Sequence, residues 1–316
     1  MFGRRPGEVD VRERLAAAEE RLRSLEEQLA AKPWKRNILI PSPEVVARAA
    51  GDDFMRYSTC SAADFLHPRF AQLSALLRIP LSYHRKYWEW VFIVHTAMKE
   101  NLARPGASAV GFGVGAAEPV AAVLAKHGVS VTATDAPEEI GVGQGWSSGS
   151  EYASGVEALA YEGVVDRETF LRQVRYDVCD MNDIPERLTG YDFAWSSCCF
   201  EHLGDLEKGL RFVESSVERT LKVGGIACHT TEFNLSSNEQ TVESGATVIY
   251  RKRDLDALIS RLRERGHTVA DILVAPDAHH LDGYVDTPPY SEPPHLRLDL
   301  LGYASTSIGL VIRRGR

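Results

Sequence analysis

The chain has 316 residues, with 36 Lys plus Arg against 44 Asp plus Glu and a net charge of −8. At 44% hydrophobic and 25% charged residues it can bury a substantial core, which excludes disorder as its whole structure. The acidic balance gives no electrostatic footprint for duplex DNA or an anionic membrane surface, the one basic run being Arg251-Lys252-Arg253.

From roughly Glu8 to Lys32, Val11, Leu15, Ala18, Leu22, Leu25 and Leu29 recur in steps of four and three, and Pro33 closes the run. Such an a/d seam predicts a coiled-coil segment over residues 1–33. At about three heptads it is marginal alone, so it predicts a homo-oligomer. Met1-Phe2-Gly3-Arg4-Arg5-Pro6 leads into charged residues without an apolar core, so no signal peptide is expected. Cys60, Cys179, Cys198, Cys199 and Cys228 lack zinc-site spacing and suit a reducing cytoplasm.

Residues 34–104 read as a helical extension punctuated by Pro41, Pro43, Pro68 and Pro80. Its aromatic cluster, Tyr83, Tyr87, Trp88, Trp90 and Phe92, suits a core, while His84-Arg85-Lys86-Tyr87-Trp88 suits either a clamp on a ligand or helix packing with solvated charges. After Pro105-Gly106, short β-type runs alternate with helical stretches, the pattern of a doubly wound, Rossmann-like α/β domain over residues 105–316. Strands are expected at Ala107–Phe112, Ser130–Thr134, Arg175–Val178, Tyr191–Ser196, Ile226–Thr230, Thr268–Val274 and Ser305–Arg313, seven in all. Helices are expected at Glu118–His127, after the fourth strand through Arg219, and at Asp254–Arg265 before Gly266. The apolar stretch Ser108–Ala125 is broken by glycines, Glu118 and Pro119, so it predicts no membrane span.

Gly111, Gly113 and Gly115 lie where the first strand meets its helix, and small residues there allow close approach of a ligand. Asp135, twenty residues after Gly115, is placed to accept hydrogen bonds from ribose hydroxyls. Gly111, Gly113 and Ala116 also fit the dinucleotide pattern G-x-G-x-x-A, which leaves an NAD(P)-dependent sugar oxidoreductase or epimerase open. A third reading is a non-enzymatic coiled-coil scaffold. Asp180-Met181 follows the third strand, placed to hold an adenine. The fourth strand ends in Ser196-Ser197-Cys198-Cys199-Phe200-Glu201-His202, and Leu221-Lys222-Val223-Gly224-Gly225 precedes the fifth.

With these parts in this order, residues 107–313 resemble the class I S-adenosylmethionine-dependent methyltransferases. The resemblance implies a seven-stranded sheet with an antiparallel last strand. It also implies S-adenosylmethionine held by Gly111, Gly113, Gly115, Glu118, Asp135, Asp180, Met181 and Ser197. The chain departs from the family pattern, with Gly111 at the usual acidic position and Ala117 at the last glycine. Glu118 or an N-terminal residue is then expected to meet the methionine amino group. Trp195-Ser196-Ser197-Cys198, Phe200-Glu201-His202-Leu203, His229-Thr230-Thr231-Glu232-Phe233-Asn234 and Pro288-Pro289-Tyr290 are similar to a bacterial subgroup associated with sugar and polysaccharide modification. That implies O-methylation of a sugar or glycan hydroxyl.

Methyl transfer to a hydroxyl needs alignment of the acceptor and removal of its proton. His202 beyond the fourth strand and His229 with Glu232 at the end of the fifth qualify by position, His229 being equally suited to a satisfied core histidine inside the strand. Glu201, His202, Glu232 and Asn234 would serve as ligands if an ion such as Mg²⁺ acidified the hydroxyl. A later polar run, His279 to Asp286, is placed either to fold over an acceptor or to form a solvated loop. Cys198 and Cys199 are expected as small strand-tip residues, since sulfonium chemistry needs no covalent intermediate.

Overall fold

The computed structural model describes residues 15–16, 18–23, 54–143, 152–290 and 293–316. Within the N-terminal coiled-coil prediction, residues 15–16 and 18–23 are helical and exposed; the rest of that segment and residues 34–53 lie outside the described residues.

The central strand β1 (Ser108–Phe112) is buried from Ala109 onward, as a strand covered on both faces must be. It pairs in parallel with β2 (Ser130–Asp135) and with β4 (Tyr191–Ser197). Outside them lie β3 (Val174–Val178) beside β2 and β5 (Leu221–Asn234) beside β4, both parallel. β9 (Tyr303–Arg313) then runs antiparallel along β5, so the expected antiparallel last strand is present.

Nine strands form this sheet, two more than expected: β6 (Thr268–Val269), β7 (Val285–Asp286) and β8 (Arg297–Leu300) complete the order β3-β2-β1-β4-β5-β9-β8-β7, with β6 also on β9. β7 and β8 come from the proline-rich stretch that the sequence pattern left as a connection. β6 stops after Val269 because another segment occupies the next stretch of β9. There the Gly309 N–H donates to the Ser58 carbonyl at 2.7 Å and the Cys60 N–H to the Ser307 carbonyl at 2.9 Å. The Ser58 N–H in turn donates to Leu273 at 2.8 Å, so the chain after β6 runs beside this N-terminal insert rather than beside β9.

One face of the sheet carries α1 (Ala62–Leu66), α2 (Pro68–Leu77), α3 (Arg85–Lys99), α4 (Val120–Lys126) and α6 (Arg167–Gln173). Their Phe70, Trp88, Phe92 and Phe170 share a core with Phe193 and Trp195 of β4. The other face carries α7 (Leu206–Ser215) and α8 (Lys252–Glu264) over Phe112, Phe200 and Phe212. α8 follows its sequence cues: Leu255, Leu258, Ile259 and Leu262 form one buried stripe, and Gly266 past its end has φ +85°. The long insertion after β2 holds α5 (Glu138–Gly143) and a 3₁₀ turn at Val156–Ala158 before α6.

α3 is nearly surrounded. Gly309 of β9 has no room for a side chain because a Cβ would lie 2.3 Å from the Phe92 ring. The helix thus presses on the sheet beside the ends of β4 and β5, where Arg85, Lys86 and Glu89 reach the site.

Candidate active site

At the end of β1 the loop turns through Gly113 and Gly115, both at φ +59°, a conformation open to glycine. A Cβ on Gly113 would lie 2.9 Å from Cys199 Sγ and 3.6 Å from Met181 Sδ, which brings the β1, β3 and β4 tips together around one cradle. Gly111 has a different role from the one expected. It lies within β1, where a Cβ would stand 2.3 Å from the Trp195 indole, so packing demands the glycine.

Asp135 closes the loop from β2. Its Oδ2 accepts from the Gly115 N–H at 3.1 Å and the Ala153 N–H at 2.9 Å, and its Oδ1 from the Ala136 N–H at 2.8 Å. Burial raises its pKa, while these three N–H donors hold the ionised form. Glu118 sits buried just before α4 and accepts from Trp195 Nε1 at 2.6 Å. Burial pushes its carboxyl up to about 8, against that hydrogen bond and the Lys86 ammonium. Asp180 turns its carboxylate onto the Asn182 N–H at 2.8 Å, just beyond β3.

A second group of charges lies at the β4 and β5 ends. Glu89, wholly buried on α3, accepts from Lys86 Nζ at 3.0 Å, Ser197 Oγ at 3.0 Å, Thr230 Oγ1 at 3.3 Å and the Cys198 thiol at 3.0 Å. Arg85 at 3.4 Å and the Ser307 hydroxyl at 2.5 Å complete its shell. Burial opposes its charge, yet Lys86, Arg85 and these donors outweigh that cost and hold its pKa down to about 2. Arg85 also spans to Glu232, with Nη2 and Oε1 2.5 Å apart. Glu232 is buried, which raises its pKa with help from Glu201 and Glu89 and against Arg85. Glu201 accepts from the Thr231 hydroxyl at 2.9 Å. At the same tip Cys198 adopts φ +50°, a costly conformation for a residue with a Cβ. Burial raises the Cys198 and Cys199 thiols well above their usual range, which removes the thiolate needed for nucleophilic attack.

The structure therefore brings Ser197, Glu201 and Glu232 together and sets two expected residues elsewhere. His229 is a core residue: Ser216 Oγ donates to the Val213 carbonyl, so it accepts from His229 Nε2 at 2.8 Å, and Ser196 Oγ stands 2.8 Å from Nδ1. Burial lowers its pKa to about 3, and the ring is wholly enclosed by the core. Asn234 caps its own turn, accepting from the Ser236 and Ser237 N–H groups and donating to Gln240 and Thr241. His202 stands 2.8 Å from the Ala246 carbonyl through Nδ1.

Two of the four expected metal ligands, Glu201 and Glu232, share one group of donor atoms, and His202 and Asn234 are not in it. Among the described residues, the donor atoms within 4.8 Å of one another belong to Cys198, Glu201 and Glu232. A thiol and a guanidinium already bonded to Glu232 do not suit Mg²⁺, which demands oxygen ligands.

Glu89, Thr230 and Ser307 were not expected at the site, whereas Arg85 and Lys86 come from the run read as either a ligand clamp or helix packing with solvated charges. For Glu89 a signal existed: it is a lone carboxylate among Trp88, Trp90, Val91, Phe92, Ile93 and Val94, three and four residues after two cations.

No family model matches the chain, and no curated protein matches it. Among solved structures it is similar to the cyclase SpnF, at 16% identity over 56% of this chain and a TM-score of 0.39. The match spans 58% of that protein. An S-adenosylmethionine-dependent methyltransferase from Clostridium acetobutylicum matches at 12% identity over 78% of this chain and 98% of its own, TM-score 0.40. A protein described as a zinc-dependent alcohol dehydrogenase from Rhodobacter sphaeroides matches at 13% identity, 78% and 98% coverage, TM-score 0.43. Likenesses of this degree bear no weight for function, and the strand order itself defines the fold. No helix among the described residues is long and apolar enough to cross a membrane.

Proposed function

We propose that the chain is an S-adenosylmethionine-dependent O-methyltransferase acting on a sugar or glycan hydroxyl. The observation that carries the cofactor reading is Glu118. A dinucleotide would set its anionic pyrophosphate against the start of the helix after the glycine loop. Here that start presents a buried carboxyl, Pro119 without an N–H, and a Gly115 N–H already bonded to Asp135. A donor carrying an ammonium and a sulfonium stabilises the ionised form of such a carboxyl, whereas a pyrophosphate gains nothing from it.

The Gly113 cradle, Asp135 and the β3 tip at Asp180-Met181 are the residues that would hold the donor, Asp135 toward a ribose and Glu118 toward a cationic end. When bound, the donor supplies an electrophilic methyl group. Glu232 then takes the acceptor proton, its carboxylate poised by burial and by Arg85. Two further points support the reading: the antiparallel β9 beside β5, and a site that gathers the carboxyl ends of the parallel strands β1, β2, β4 and β5. Leu15 and Leu22, each 58% exposed, lie seven residues apart on the N-terminal helix and support self-association through that segment.

Calorimetry with S-adenosylhomocysteine and with NAD tests the cofactor. The expected result is binding of S-adenosylhomocysteine alone; preference for NAD refutes the proposal. Mass spectrometry of glycans from a deletion strain, read for a lost methyl group, tests the acceptor class.

A further inference from the structure

Three buried polar atoms beside the end of β5 have no hydrogen-bond partner among the described residues: Arg85 Nε, Glu201 Oε1 and Glu232 Oε2. They sit on neighbouring side chains. Arg85 holds Glu232 through Nη2, and carboxylate oxygens of Glu201 and Glu232 lie within 4.8 Å of each other. The opposite oxygens are held, Glu201 Oε2 by Thr231 and Glu232 Oε1 by Arg85. Glu201 is fully buried and Glu232 is 5% exposed, so bulk solvent does not supply the absent bonds. Buried charged groups left so are expensive, and three together specify a complement of two donors and one acceptor.

That complement discriminates among ligand classes. A metal ion offers no acceptor to Arg85 Nε and meets two cations, Arg85 and Lys86. An ammonium also lacks an acceptor. A phosphate or carboxylate supplies acceptors only and is repelled by both glutamates. A pair of adjacent hydroxyls supplies two O–H donors and spare lone pairs on neutral groups.

We infer that Arg85, Glu201 and Glu232 form a subsite for a vicinal diol of a sugar ring, the hydroxyls donating to the two glutamates and one of their oxygens accepting from Arg85 Nε. Only the further step, that one of these hydroxyls receives the methyl group, rests on the proposed function. Arg85 comes from α3, Glu201 from the turn after β4 and Glu232 from β5, so the subsite exists only in the assembled fold.

Saturation-transfer NMR on the full chain tests this, using methyl α-mannopyranoside, methyl β-galactopyranoside and methyl α-rhamnopyranoside as probes, with and without S-adenosylhomocysteine. At least one glycoside is expected to bind, and Glu201→Gln and Glu232→Gln are each expected to weaken it about tenfold or more. Circular dichroism confirms folding, and Arg85→Lys, which lacks the Nε donor, gives the same loss if either Gln variant does not fold. The inference is overturned if no glycoside binds the wild type, or if binding survives the substitutions. It is equally overturned if glucosamine or Zn²⁺ alone occupies the pair with loss in the same variants. Glycoside binding without S-adenosylhomocysteine binding leaves the subsite standing and removes the methyltransferase reading; the converse removes the subsite alone.

Discussion

Glu118 shows how a single side chain reports on its ligand. Its carboxyl titrates at about 8 because burial disfavours the charge, so it is largely protonated at neutral pH. A cationic donor arriving beside it favours ionisation, so binding near pH 7 is expected to release a proton. Calorimetry of S-adenosylhomocysteine in two buffers of different ionisation enthalpy measures that release, and Glu118→Gln is expected to abolish it. Asp135→Ala is expected to weaken S-adenosylhomocysteine by roughly 1.5 to 3 kcal/mol, read by the same titration. Glu89 makes the opposite case, a fully ionised carboxylate held by two cations. Glu89→Ala removes the carboxylate shared by Arg85, Lys86, Ser197, Thr230 and Ser307 and is expected to cost about 3 to 5 kcal/mol in denaturant unfolding. Of these three residues, Glu118 and Asp135 were legible because they fall at fixed places beside a strand–glycine–helix pattern. Glu89 was not, because its partners Ser197, Thr230 and Ser307 are 108, 141 and 218 residues away in the chain.

Among the elements, the parallel strands were read nearly in place, since each is a short β-branched or apolar run bounded by glycine, proline or a polar turn. β5 begins earlier than expected, at Leu221, because the chain pairs with Tyr191 before shifting register at a bulge beside Gly224. α7 ends earlier, at Ser215, and passes into a π turn over Ser216–Thr220, the turn that supplies Ser216 to His229. β6 was read too long and β8 was missed for a common reason: pairing there is decided by what competes for β9, and no local pattern records competition; β7 in turn exists only by pairing with β8. α3 against β9 gives a direct test of packing between elements. Gly309→Ala places a methyl against Phe92 and is expected to destabilise the protein by about 1 to 3 kcal/mol. Phe92→Leu in the same chain should recover part of the lost melting temperature.

For the whole molecule, buried ionisable groups bound stability from both sides of the pH scale. Burial lowers His229 to about 3 and His84 and His95 to about 4, so on acidification from 6.5 the unfolded chain binds protons that the folded chain refuses. Glu89, lowered to about 2, stabilises the fold above 4.5 and loses that contribution as pH falls toward 2. Burial raises Asp64 to about 6 and Glu118 to about 8, so there the folded chain binds more protons and stability declines as pH rises through 4 to 8. Thermal melts should therefore peak near about pH 6, and Glu118→Gln should flatten the alkaline side. Removing residues 1–32 is expected to lower the mass per assembly in light scattering while melting stays unchanged. The insert at Ser58–Cys60 carries a consequence for how the protein is made. Thr59 pairs with Ile308, so the 248 residues between the two partners must first leave the ribosome. At ordinary translation speeds that is roughly 12 to 50 s. Throughout that interval the edge of the segment that β9 will cover stays unpaired, a natural client for a chaperone that shields nascent β-edges, and the sheet closes only when synthesis has passed its ninth strand.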